Sequence, residues 1–247
     1  MLLLAVESSG LVASVALMSD DVLMGEFTTN FKKTHSQTLL PMLDEMVRMV
    51  GVELKDVDAI VVSKGPGSFT GLRIGAATAK GLGLALDKPL IGVPTVDAIA
   101  YNLFGTDKVI CPLMDARRNQ VYTGLYTFGS GGFKVLRGQE AVSIEAVVQR
   151  LEEMGKPVIF LGDGVPVYRD FIEAHLQTPH EYAPAHLSRQ RAGALAAIGK
   201  LYWEAGRSES AAELRPEYLR LSQAERERME REKQAEASGQ TEGRLRS

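Results

Sequence analysis

Asp58-Ala59-Ile60-Val61-Val62-Ser63-Lys64-Gly65-Pro66-Gly67-Ser68-Phe69-Thr70-Gly71-Leu72-Arg73-Ile74-Gly75 is the stretch from which the fold of this chain can be read. Its β-branched apolar start predicts a strand over 58–63, the glycines and proline predict a sharp turn, and a helical pattern follows from about Thr70 to Leu86. Glycine permits the tight turn, and the free amides at a helix start can hold an anion, so the loop is compatible with phosphate binding without being specific for it. A Walker loop fails, because five residues separate Gly65 from Gly71 and Leu72-Arg73 stands in place of the Lys-Ser/Thr pair. The dinucleotide fingerprint is one residue too long and lacks a well-placed acid on the next strand. A nucleophile elbow needs glycine two residues before Ser68, where Pro66 stands. A turn built only for close packing of helix on strand explains the loop equally well.

Before this stretch, residues 2–7, 12–18 and 22–29 read as a three-stranded meander, and a helix is predicted from His35 to Val50. Thr34 and Gln37 have capping-box spacing, Gly51 sits at the stop position, and Pro41 is expected to kink or delay the helix. After it comes a short strand, Leu90 to Val93. The order then begins again: strands near 109–115, 119–128 and 132–139, a helix near Ser143 to Met154, a strand at Pro157 to Leu161, a loop Gly162-Asp163-Gly164, and a helix near Val167 to His175. A repeated order of strand, strand, strand, helix, strand, helix indicates an internal duplication. Two mixed sheets with helices give an α/β, two-lobed plan, that of the actin, Hsp70 and sugar-kinase (ASKHA) superfold, in which a nucleotide sits between the halves. The lobes are predicted at 1–106 and 107–221, with a last helix from about Ser188 to Trp203 and a charged tail over 222–247 expected to fray and then lose order. Glu7, Ser8, Gly65, Gly67, Ser68, Asp115, Arg117, Gly162, Asp163 and Gly164 are the residues this plan would set nearest a nucleotide.

With 247 residues, 45% of them hydrophobic and 24% charged, the chain can build real cores. A net charge of −3 disfavours independent binding of nucleic acid, so any RNA contact is expected through a partner. Met1 to Val6 is an apolar run without a basic leader and no stretch has the length of a membrane span, which sets the expectation of a cytoplasmic protein with no membrane contact. The single cysteine, Cys111, lies in the apolar run Val109 to Leu113 and reads as a packed core thiol. His35, His175, His180 and His186 show no metal-ligand spacing.

Leu3-Leu4-Ala5-Val6-Glu7-Ser8-Ser9, His35-Ser36-Gln37-Thr38-Leu39-Leu40-Pro41-Met42, the glycine loop, Gly92-Val93-Pro94-Thr95, Met114-Asp115-Ala116-Arg117-Arg118 and Arg215-Pro216-Glu217-Tyr218-Leu219-Arg220 together resemble the TsaB branch of the glycoprotease-like family. That family acts in making threonylcarbamoyladenosine in tRNA. The resemblance implies a subunit that pairs with the metal-bearing relative TsaD, joined by the ATPase TsaE. In TsaD a His-x-x-x-His metal pair follows the strand that here is Leu90 to Val93; Thr95 and Ile99 occupy those positions, and neither replaces an imidazole. Glu7 stands where aspartate is common in the superfold. The resemblance therefore implies no catalytic residue, no metal and no tightly bound cofactor, with an adenine nucleotide only at a subunit boundary.

Leu39, Leu43 and Met46 form one apolar stripe of the first helix, and Leu40, Met42 and Met49 add apolar area beside it. The second helix carries Leu72, Gly75, Ala76, Ala79 and Gly83 in a sequence rich in small residues, which suits close approach of another helix. These eleven residues are the expected partner-docking surface; whether the isolated chain also forms a homodimer through them is open. A small-molecule kinase of the same superfold is the rival reading, and a peptidase the weakest one.

Overall fold

The computed structural model describes residues 1–31 and 34–220; the predicted charged tail lies outside them. Its elements are β1 (Leu2–Glu7), β2 (Ala13–Ser19), β3 (Val22–Thr29), α1 (His35–Val50), β4 (Ala59–Gly65), α2 (Phe69–Leu86), β5 (Leu90–Pro94), α3 (Thr95–Tyr101), β6 (Val109–Asp115), β7 (Gln120–Gly129), β8 (Gly132–Ser143), α4 (Ile144–Met154), β9 (Val158–Leu161), α5 (Val165–His175), β10 (His180–Tyr182) and α6 (Ala192–Glu204). Two five-stranded sheets result, ordered β3-β2-β1-β4-β5 and β8-β7-β6-β9-β10. In each, the meander is antiparallel and the strands beyond it are parallel. The duplication read from the sequence is thus a duplication of topology, and the fold is the two-lobed ASKHA plan. Two elements escaped the sequence reading. β10 has only three residues, His180-Glu181-Tyr182, with no alternation to detect, and α3 is a short helix apolar almost all round.

β1 is central, antiparallel to β2 and parallel to β4, and Leu3, Leu4, Ala5 and Val6 are fully buried, which is why its sequence is an unbroken apolar run. One face of the first sheet is covered by α1 and α2, where Leu39, Leu43 and Met46 meet Leu4, Val6, Val15 and Leu17. Each such side chain contributes about 2 kcal/mol by leaving water, and Leu43→Ala would cost roughly 2–5 kcal/mol. The other face is covered by α6, with Leu195, Ala196 and Ile198 against Leu3, Ala5 and Val61. In the second lobe, α4 and α5 cover one face through Val147, Leu151 and Ile172. α3 lies against the opposite face, with Val96, Ile99 and, just beyond the helix end, Leu103 on Ile110, Met114 and Tyr126, and so forms the seam between lobes. A buried carboxylate sits in this seam: Asp97 accepts hydrogen bonds from Tyr126 (2.7 Å) and Tyr202 (2.9 Å), one donor from each lobe's side of the seam.

The helix α1 runs unbroken through Pro41, and Gly51 closes it in the left-handed region (φ 74°). The capping box does not form. Thr34 Oγ1 donates to Gln37 Oε1 (2.8 Å) and makes no cap to the backbone. α6 starts later than expected, because Ser188 and Arg189 are committed elsewhere: Gly162 N donates to Ser188 O and Asn102 Nδ2 to Arg189 O. Helix α6 and residues 205–214, assigned by sequence to the second lobe, pack on the first. The chain bridges edge strand β5 through a mutual Leu90–Glu209 pair and buries Ala211 and Leu214 beside α2.

Candidate functional site

Between the lobes lies a cleft of about 800 Å³, walled by the loops that follow β1, β4, β6 and β9. Its construction begins at the end of β1. Glu7 is buried and accepts from Ser9 N (2.6 Å) and from the Ser63 hydroxyl, so it braces two loops and does not line the cleft. Burial raises its pKa, opposed by those hydrogen bonds. Ser8 Oγ donates to Gly71 O (2.9 Å), and Ser68 N donates to Ser9 O (2.7 Å).

These contacts decide the reading of the glycine loop. A Cβ at Gly67 would run into Ser9 O, one at Gly71 into Ser8 O, and one at Gly75 into Ser8 Oγ. The three glycines, four residues apart, form a smooth face on which the Ser8-Ser9 backbone rests, and an amide that might have held an anion is given to Ser9 O. The loop is a packing device. The second lobe repeats it, since Gly162 (φ 109°) and Gly164 lie on Leu113 O at the end of β6, and Gly164 N donates to that oxygen (2.8 Å). Gly65 (φ 121°) is covered by the carbonyl of Glu217.

Of the residues expected nearest a nucleotide, Gly67, Ser68, Asp115, Arg117 and Asp163 line the cleft, whereas Glu7, Ser8, Gly65, Gly162 and Gly164 lie behind its walls. Asp115 accepts from Arg117 N (2.8 Å) and Tyr168 OH (3.3 Å) and pairs with the exposed Arg117 guanidinium (3.1 Å). Asp163 accepts from Asp115 N (3.2 Å); burial raises its pKa against that hydrogen bond and the charge of Arg189. Sequence reasoning missed Ser9 and Gln190, both buried in the cleft wall, whose Oγ and Nε2 find no hydrogen-bond partner among the described residues. It also missed Glu217 to Arg220, which cross the cleft. Ser9 and Glu217 to Arg220 lie in stretches that carry the family resemblance, but their place in the cleft comes from segments far apart in the chain.

Thr95 and Ile99, at the positions of the relative's metal pair, are fully buried on α3. Ile99 packs in the seam, and Thr95 Oγ1 has no hydrogen-bond partner among the described residues. Among the described residues no group of three His, Cys, Asp or Glu side chains could hold a metal ion, and no helix is long and apolar enough to cross a membrane.

The expected docking surface is largely internal. Leu39, Leu43, Met46, Leu72, Gly75, Ala76, Ala79 and Gly83 are buried, because one stripe of each helix faces the sheet; a Cβ at Gly83 would press on Leu90 and Lys88 O. Leu40 and Met49 are exposed and Met42 half-buried. Leu84, exposed by 71% and absent from the expected surface, forms the outer side of α2 with Ala77, Gly81 and Ala85, three of the small residues in which the helix is rich.

The family model for TsaD, tRNA N6-adenosine threonylcarbamoyltransferase, matches residues 24–228. The chain is 34% identical to the tRNA threonylcarbamoyladenosine biosynthesis protein TsaB of Bacillus subtilis, over 94% of this chain and 100% of that one. It belongs to the TsaB family. TsaB of Escherichia coli is 31% identical over 69% of this chain and 74% of its own. A crystal structure from Pseudomonas aeruginosa, of an uncharacterized protein with similarity to peptidase YeaZ, superposes with a TM-score of 0.75 at 27% identity, covering 89% of this chain and 99% of that one. The shared architecture extends over both lobes, so the glycine-on-serine packing at β1 and its counterpart at β6 belong to the body of the TsaB fold in this chain.

Proposed function

We propose that this chain is a non-catalytic docking subunit of the assembly that forms threonylcarbamoyladenosine beside the tRNA anticodon, supporting the metal-bearing TsaD together with the ATPase TsaE. The observation that carries this reading is the outer side of the paired helices α1 and α2. Leu40 and Leu84 are exposed by 53% and 71%, and Gly81 has open space where a side chain would stand. Scattered apolar residues are ordinary on a surface, but here they accompany small residues that let a second pair of helices approach to about 8–10 Å. The burial of Thr95 and Ile99 in the inter-lobe seam supports the non-catalytic part, since that position is filled by hydrophobic packing. On this reading the threonylcarbamoyl group is transferred by the partner, tRNA is met only through the complex, and an adenine nucleotide binds only at the subunit boundary.

The test is reconstitution with TsaD from the same organism, following mass by size exclusion with light scattering and following tRNA threonylcarbamoylation with TsaE, the adenylate-forming enzyme, threonine, bicarbonate and ATP. A co-eluting pair, with modification that requires this chain, is expected. A chain that stays apart from TsaD and hydrolyses ATP alone would refute the proposal in favour of a kinase, a reading to which Asp115 and Asp163 in the cleft give some support.

A further inference from the structure

Residues 214–220 cross from one lobe to the other over the mouth of the cleft. On the first lobe, Leu214 is buried beside α2, and Lys80 Nζ donates to its carbonyl (3.2 Å). Glu217 N donates to Lys64 O (2.6 Å), and the Glu217 carboxylate pairs with Lys64 Nζ (2.7 Å). The Tyr218 ring lies 4.8 Å from that of Phe69, and Arg73 Nε donates to its hydroxyl (3.3 Å) while the guanidinium covers Phe69. On the second lobe, Gln139 Nε2 donates to the Glu217 carboxylate (2.6 Å), and Arg220 donates to the carbonyls of Ala116 and Arg117.

The last contact falls on an unusual turn. Arg117, Arg118 and Asn119 are consecutive left-handed residues (φ 65°, 56° and 56°), with no glycine among them. Such a run costs on the order of 1–2 kcal/mol per residue. Within it Gln120 N donates to Arg117 O (3.2 Å), while the Ala116 carbonyl just ahead of it takes its donor from Arg220. The lobes also meet at the hydrophobic seam around α3, whose Met114 and Tyr122 reach the cleft wall, and through residues 188–191, where Gly162 N donates to Ser188 O and Arg191 pairs with Glu26. The molecule therefore has a hydrophobic seam between the lobes and, at 214–220, a polar tie from one lobe to the other.

We propose that residues 214–220 form a clasp that holds the lobes in their closed arrangement, and that its release lets the cleft open about α3. The side chains of Lys64, Tyr218 and Arg220 hold the clasp in place. Because this concerns the isolated chain, it stands or falls independently of partner docking.

The test uses the full chain with spin labels on Lys55→Cys and Glu145→Cys, exposed positions on the first and second lobes; native Cys111 is buried, with its thiol pushed up to about 12 by burial, and stays unlabelled. Inter-lobe distance by electron paramagnetic resonance and amide exchange at Glu217 are compared with those of a Lys64→Ala, Tyr218→Ala, Arg220→Ala variant. Exchange at Glu217 faster by about ten-fold or more, with a longer and broader distance distribution, is the expected result. Faster exchange at an unchanged distance overturns the clasp, and unchanged exchange overturns the role of these side chains. Should the triple variant lose its cooperative unfolding transition, Arg220→Ala alone gives the same two readouts, since its contacts are to two carbonyls on the turn.

Discussion

Gly71→Ala and Gly81→Ala place the same methyl group on the same helix, and the structure requires opposite outcomes. By helix propensity each change gains roughly 1 kcal/mol. At Gly81 nothing lies within 4 Å of the new Cβ, so that gain stands. At Gly71 the Cβ would stand closer to the main-chain oxygen of Ser8 than the 3.0 Å that real Cβ atoms respect, and neither backbone can rotate away as a side chain would. Overpacking of this kind costs about 1–3 kcal/mol. Displacing Ser8 also loses its 2.9 Å hydrogen bond to Gly71 O, worth about 1 kcal/mol. The net expectation is destabilisation by about 1–3 kcal/mol at Gly71 and stabilisation by about 1 kcal/mol at Gly81. For a chain of this size 1 kcal/mol moves the thermal midpoint by roughly 2–4 °C, so the two variants should fall on opposite sides of the parent in a melting experiment followed by circular dichroism. A Gly71→Ala protein at or above the parental midpoint would show that the Ser8-Ser9 turn does not rest on α2, and the packing account of the glycine loop would be wrong.

Leu84→Asp should abolish co-elution with TsaD while changing the stability of the isolated chain by no more than about 0.5 kcal/mol, as for other exposed positions; light scattering and thermal melting read the two effects separately. Tyr126→Phe removes one of the two hydroxyl donors to Asp97 and should destabilise by about 1–3 kcal/mol, measured by urea unfolding. Burial raises the pKa of Asp97 against these hydrogen bonds, so the folded chain retains a proton that the unfolded chain has released. The stabilisation from that proton is complete below the ordinary carboxylate range and is lost as pH rises through the raised value; Asp97→Asn should flatten this part of a urea-midpoint profile taken from about pH 4 to 8. A profile identical to the parent's would remove Asp97 from the account.

The strand-turn-helix at Ala59 to Leu86 and its repeat after β9 were legible because alternation, helical period and glycine punctuation are local properties. The same patterns bounded α1 at His35 and Val50 without error. What they could not convey was direction. Leu39, Leu43 and Met46 belong by sequence to the expected docking surface, yet the sheet beneath α1 turns them inward while Leu40 is left in water.

By itself, then, the sequence determined the order of elements other than α3 and β10, the duplication and the absence of imidazoles at Thr95 and Ile99. Tertiary structure decided that the glycine loop supports Ser8-Ser9 and that Glu217 to Arg220 span the cleft. The reason is separation along the chain: Ser8 lies 63 residues from Gly71, and Arg220 lies 104 from Ala116. A pattern confined to neighbouring residues carries no record of which distant backbone will come to rest against it.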